Sequence, residues 1–414
     1  MRKLLLCVMA AIMFVACGKD DFSFNVKEEI KNPYAVTPEE AVQLLQTVIG
    51  DETTRSVSIS DVQTLTKGNF TQTTRSEADD EVIYIVDIEG GGSAIMGADK
   101  RMEPIYAVLD NTKITAEQLV GATTRSESEG EDIEDYVLGL LNNAILSDIQ
   151  EVETAGIEVP LIPRDQTWSV TTVIAEQEAF LDTQWHQESP YNDSYPVHSI
   201  TGRKYPAGCG IIALAQILYF HRFPSSLNGI TFDWTLLSWN EVGYYPPTSA
   251  TIEVANFVWS IKTAIDNYSE VQYDYDSETD ELRTETTEYQ AKYLLETAGY
   301  EDVTIATYNL NSIIEMVANE NIPVYVQGYD DEEEVGHAWV IDGCDIHKID
   351  YWVRHYTDAI NYTEYIDGTS HINLVHCNFG WTNGRCNGDY NSGIFNTVEG
   401  NYSSNKRIIT YSKD

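Results

Sequence analysis

Tyr205-Pro-Ala-Gly-Cys209-Gly-Ile-Ile-Ala-Leu-Ala-Gln-Ile-Leu-Tyr-Phe-His221-Arg-Phe-Pro224 is the stretch on which the reading of this chain turns. Pro206 and Gly208 mark a loop. Residues 211–220 are almost all apolar, with no polar face, and a helix apolar all round is a buried one. Pro224 ends it. Cys209 therefore stands at the amino end of a core helix, after a glycine-containing turn. Free backbone N–H groups and the helix dipole favour an anion there, so the sequence predicts a readily ionised, nucleophilic thiol. The alternative is a small buried hydrophobe, since free cysteine is among the most buried residue types.

The rest of the chain supplies partners. A cysteine nucleophile needs a base, a group that orients the base, and donors for an oxyanion. His337 opens an apolar strand after a glycine, 128 residues beyond Cys209, and Asn378 ends a later strand, 169 residues beyond it. Cysteine at a helix start with histidine and asparagine far downstream on strands is a papain-like layout. His376 is a competing base. No tight Cys/His spacing marks a zinc site, and no cofactor is called for.

Composition divides the 414 residues. All eight His and all eight Trp lie at or beyond Trp168, as does every Cys except Cys7 and Cys17. The segment before about 160 has helix and strand patterns: a capping box at Thr37-Pro38-Glu39-Glu40, strands at 81–88 and 105–109, an amphipathic helix at 136–149. It reads as a small α+β domain without catalytic equipment, set off by a linker at Pro160 and Pro163. The net charge of −41 argues against nucleic acid as a partner, since its phosphates would be repelled. Four remaining cysteines are too few to staple so large a domain, although Cys377 and Cys386 are near enough in sequence to pair.

Residues 1–17 have a basic start (Arg2, Lys3) and an apolar stretch too short to span a membrane. Val15-Ala16-Cys17-Gly18 resembles a bacterial lipobox, which implies lipidation of Cys17. Lys19-Asp20-Asp21 is similar to the surface-export tag of Bacteroidetes lipoproteins. An ordinary cleaved signal peptide is the alternative. Both readings export the chain. Thr-Thr-Arg-Ser occurs at 53–56, 73–76 and 123–126, either by chance in polar loops or as sites for nicking. Asp330-Asp-Glu-Glu-Glu334 reads as an exposed acidic turn before His337.

Trp185-x-Gln187-x-x-Pro190-Tyr191-Asn192, Ala207-Gly208-Cys209 through Gln216 to Pro224, Pro323-Val324-x-x-Gln327-Gly328, Gly336-His337-Ala338-Trp339-Val340-Ile341-Asp342-Gly343 and His376-Cys377-Asn378-Phe379-Gly380-Trp381 together resemble the streptopain family of cysteine peptidases, peptidase family C10. The resemblance covers about 168–400. It implies an α+β fold: a papain-like domain at 168–414, its central helix packed on an antiparallel sheet, preceded by a signal peptide (1–17), a tether (18–36) and a propeptide similar to a small streptopain inhibitor (37–160). It implies Cys209 as nucleophile, His337 as general base, Gln187 at the oxyanion, and Asn378 with Trp381 orienting and shielding the ring. The implied function is a zymogen endopeptidase acting on proteins or peptides, with its own propeptide as intramolecular inhibitor. A lipid anchor at Cys17 would hold it at the outer membrane or cell surface until processing. A cell-wall peptide amidase and a surface lipoprotein that binds or inhibits proteases are the rival readings. Two departures stand out: Phe379 where the family has Trp, and a long stretch between Cys344 and His376 that reads as a surface insertion near the site.

Overall fold

The computed structural model describes residues 32, 34–49, 58–71, 79–121, 133–155, 166–237, 248–277, 280–330, 335–357, 361–393 and 404–413. The signal peptide with Cys17, most of the tether, the three Thr-Thr-Arg-Ser sites, the linker prolines and residues 331–334 lie outside the described residues.

The capping box starts helix α1 (Pro38–Ile49): Thr37 N donates to Glu40 Oε2 at 2.8 Å and Glu40 N to Thr37 Oγ1 at 3.2 Å. Strand β1 (Ile59–Thr66) and a single turn, α2 (Lys67–Phe70), lead into β2 (Glu81–Ile88), β3 (Ser93–Gly97) and β4 (Ile105–Leu109). Helices α3 (Ala116–Gly121) and α4 (Ile133–Ala155) complete this half.

The second half opens with β5 (Gln166–Gln177), followed by α5 (Cys209–His221), a small ribbon of β6 (Ser226–Leu227) and β7 (Ile230–Thr231), and α6 (Ser249–Asp266). A hairpin of β8 (Gln272–Asp276) and β9 (Glu281–Glu285) precedes α7 (Glu288–Ala298), β10 (Glu301–Thr307) and α8 (Leu310–Ile314). The chain ends in β11 (Val324–Asp330), β12 (Val335–Tyr356), β13 (Tyr362–Asn378), β14 (Gly388–Asn391) and β15 (Ser404–Ser412).

Among the described residues one antiparallel sheet of eleven strands carries both halves, in the order β1-β2-β3-β4-β14-β13-β12-β11-β15-β10, with β5 on the far part of β12. The join is β4 against β14, with Gly388 opposite Leu109 and Tyr390 opposite Ala107. Helix α5 packs against β11, β12 and α6. Ile211, Ile212, Leu214, Ile217 and Leu218 are fully buried on it, each worth about 1.5–3 kcal/mol of transfer free energy. This is the expected architecture: a central helix on a large antiparallel sheet, preceded by a smaller α+β region.

The strands expected at 337–342 and 373–378 are far longer than that. They form a hairpin whose arm is the stretch between Cys344 and His376, flanked by β5. At its root Ile349, Ile372 and Leu374 join α1 and β2–β4 in a buried apolar cluster. Farther out Trp168, Val170, Tyr362 and Ile366 are exposed. No helix of the described residues is long and apolar enough to cross a membrane.

Candidate active site

The turn that delivers Cys209 is fixed from two sides. Ala207 N donates to the Gln187 carbonyl at 2.8 Å, and Thr284 Oγ1 donates to the Pro206 carbonyl at 2.6 Å. Gly208 takes φ 95°, and a Cβ there would stand 3.0 Å from the Thr284 carbonyl oxygen. Only glycine meets both demands. At Gly210 a Cβ would run into Thr286 Oγ1 and the Tyr325 hydroxyl, so the first turn of α5 lies flat on the 284–286 segment and β11.

Cys209 is half-buried. Burial pushes its thiol above the ordinary value; the backbone amides of Ala338, Gly210 and Cys209 itself pull the other way, and Glu285 adds to the rise. The expected easy ionisation is therefore not what the fold provides in this state. The helix-start amides are present, but removal of water outweighs them. The Ala338 amide is the informative neighbour. It lies on β12 one residue after His337, so the thiol sits beside the strand that carries the histidine.

His337 is 7% exposed. Burial lowers its pKa to about 4, with a hydrogen bond to the Phe379 backbone acting against that. Its ring centre is 5.0 Å from that of Trp381, 6.1 Å from Phe379 and 6.2 Å from Trp339. Phe379 and Trp381 stack at 4.7 Å. Phe379 thus fills the aromatic wall in place of a tryptophan, and its own N–H goes to Asn387 Oδ1 at 3.1 Å.

Asn378 lies near this group, with its side chain engaged elsewhere. Its Nδ2 donates to the Thr183 carbonyl at 2.8 Å and its Oδ1 accepts from Gly380 N at 3.2 Å. Thr183 Oγ1 in turn donates to Gln216 Oε1 on α5. Asn378 so ties three segments: the one that runs on to Gln187, the loop bearing Trp381, and the central helix. Gln187 is half-buried; beside it His186 is buried, accepts Glu188 N at 3.2 Å, and packs edge-on to Tyr191.

His376, the competing base, is committed. Its Nδ1 meets Asp342 Oδ1 at 2.6 Å and its Nε2 meets Asp110 Oδ2 at 3.2 Å. Burial works to lower its pKa, but Asp342, Asp110 and Asp389 together hold it well above the ordinary value. Asp342 Oδ2 also accepts Leu181 N at 2.8 Å. Sequence reading did not identify Thr183, the Phe379 carbonyl or the Asp110–His376–Asp342 chain; Asp342 and Gln216 stood only inside larger motifs. No disulfide is formed among the described residues, so Cys377 and Cys386 are not joined. No group of His, Cys, Asp and Glu able to hold a metal ion occurs among them either.

The arrangement offers a thiol and an imidazole on adjoining elements, both neutral in this state, with backbone amides around the sulfur and an aromatic cover over the ring.

Comparison with known proteins agrees with that chemistry. The Peptidase C10 family profile matches residues 185–390. Streptopain of Streptococcus pyogenes serotype M28 is 25% identical over 301 residues, which are 64% of this chain and 68% of that protein. A prointerpain A fragment of Prevotella intermedia superposes with a TM-score of 0.52 at 18% identity, over 86% of this chain and all of that one, so the fold is shared across both halves. The chain is a cysteine-type peptidase of papain-like α+β fold, related to streptopain.

Proposed function

We propose that this chain is the uncut, latent form of an exported cysteine endopeptidase, with Cys209 as nucleophile and His337 as general base. The observation that carries the reading is the thiol at the start of α5 lying against the Ala338 amide, next to His337. His337 takes the proton of Cys209, and the sulfur attacks a peptide carbonyl. The Cys209 amide and the Gln187 side chain hold the oxyanion. His337 passes its proton to the leaving amine, and water cleaves the thioester. The Phe379 carbonyl and the Trp381 ring orient and shield the imidazole, while Asn378 is a positioning residue acting through Thr183 and Gly380.

Residues 37–160 serve in this reading as a propeptide. Their described residues form helices and strands, residues 37–160 lack His, Cys and Trp, and a relative named as a proenzyme aligns over 86% of the chain. The chain leaves the cytoplasm through its leader, anchored at Cys17 until the propeptide is cut away. Protein and peptide chains are the substrates. The test follows the purified chain with time on casein, alongside labelling by an epoxide inhibitor of papain-like enzymes. Activity should lag, rise as residues 37–160 are lost, and vanish with an epoxide adduct on Cys209. Full activity of the uncut chain, or an adduct elsewhere, would overturn the reading.

A further inference from the structure

The arm of the β12–β13 hairpin between Cys344 and His376 and the β14 edge have no part in the proposed reaction, yet both face the N-terminal half. Three kinds of contact meet along that line. The first is the sheet itself: β4 pairs with β14, and Asp110 N donates to the Asn387 carbonyl at 3.1 Å. The second is apolar. Ile349, Ile372 and Leu374 of the hairpin are buried with Ala41 and Leu45 of α1 and with Tyr84, Met96 and Ile105 of β2–β4. The third is polar. His376 is gripped between Asp342 of the catalytic half and Asp110 of the N-terminal half, Asn391 Nδ2 donates to Glu103 Oε2 at 2.8 Å, and Cys386 N donates to Thr112 Oγ1 at 3.3 Å.

None of these contacts depends on the covalent link between α4 and β5. We propose that the hairpin and the β14 edge form a retention seat for the N-terminal domain, so that cutting the chain between α4 and β5 leaves a bound two-piece complex. The partner this surface fits is the chain's own N-terminal domain: an antiparallel strand with an apolar layer behind it and a carboxylate placed for His376. Release, rather than the first cut, then becomes the step that frees the enzyme. A nick elsewhere in the N-terminal half, which breaks up the strands held by the seat, frees it faster than a cut in the linker. The inference rests on the propeptide reading of residues 37–160.

The test uses the full chain with Cys209→Ala and a recognition sequence for a site-specific protease inserted between 156 and 165. After complete cutting, gel filtration and native mass spectrometry follow the two pieces. They should stay together for hours. Ile349→Ser with Ile372→Ser should shorten the lifetime of the complex at least tenfold. Asp110→Asn alters a carboxylate that is 44% exposed and keeps its size and shape; with folding verified by circular dichroism, it should shorten the lifetime severalfold. Separation of the unsubstituted pieces at once, or variant complexes as long-lived as the parent, would overturn the proposal. Because Cys209→Ala removes the thiol, this outcome is independent of catalysis. A failure here leaves the nucleophile assignment standing, and an inactive enzyme leaves the seat standing.

Discussion

The imidazole of His337 lies 5.0 Å, centre to centre, from the indole of Trp381, at a tilt of 35°. That cover keeps water from the ring and holds its pKa near 4, against an ordinary 6.5. At neutral pH the ring is therefore an unprotonated acceptor, as a general base must be. Trp381→Ala lets water in, and the His337 titration midpoint, read by proton NMR of the full chain, should move up from about 4 toward 6.5. The acid limb of the pH–rate profile of the processed enzyme should move with it, with turnover down about tenfold to a hundredfold. An unmoved midpoint would mean that Trp381 does not control access to the ring.

Cys209 supplies a second expectation. Burial raises its thiol above the usual 9 in the uncut chain. Alkylation by iodoacetamide should be slow at neutral pH and climb only through the alkaline range, with the Cys209→Ala chain as the blank for the buried Cys344, Cys377 and Cys386. After the N-terminal half is removed, labelling at neutral pH should speed up. Fast neutral labelling of the uncut chain would contradict a latent thiol.

Glu103 makes the join sensitive to pH. Burial, with the Asp148 charge behind it, raises its carboxyl from 4.5 to about 7, and the Asn391 amide works against that. A raised folded-state pKa means that the stability is fully present below 4.5 and is lost as pH rises through about 7. Complete ionisation costs about 3 kcal/mol. Glu103→Gln keeps an acceptor for Asn391 and removes the charge. Its melting temperature should fall less than the parent's as pH is raised from about 5 to about 8. Equal falls in the two proteins would place the pH dependence on other groups.

The parts of this molecule that were legible in the sequence are the local ones. The capping box at Thr37–Glu40 marks a helix start, and the apolar run after Gly210, broken only by Gln216, marks α5, because both signals sit within a few residues. The hairpin was not legible. Between Cys344 and His376 the chain is mixed in character, and only the buried root of each strand carries a clear apolar pattern. β5 was missed for the same reason, being exposed over most of its length. Asn378 and Thr183 are 195 residues apart, and Asp110 and His376 are 266 apart. Nothing at either end of such a pair announces the other. The thiol misled in a different way. A helix start favours the anion, but the sequence holds no measure of how much water the fold removes, and that loss decided the direction.

The central claim is that Cys209 and His337 act as one unit. The direct measurement is kcat/KM of the processed enzyme on a peptide taken from a mapped casein cleavage site, for the parent, Cys209→Ala, His337→Ala and the double variant, with circular dichroism to verify folding. Members of a catalytic unit are not additive. All three variants should fall to a common floor, about a thousandfold or more below the parent. Substantial turnover by Cys209→Ala, or a double variant whose loss is the product of the two single losses, would contradict the account.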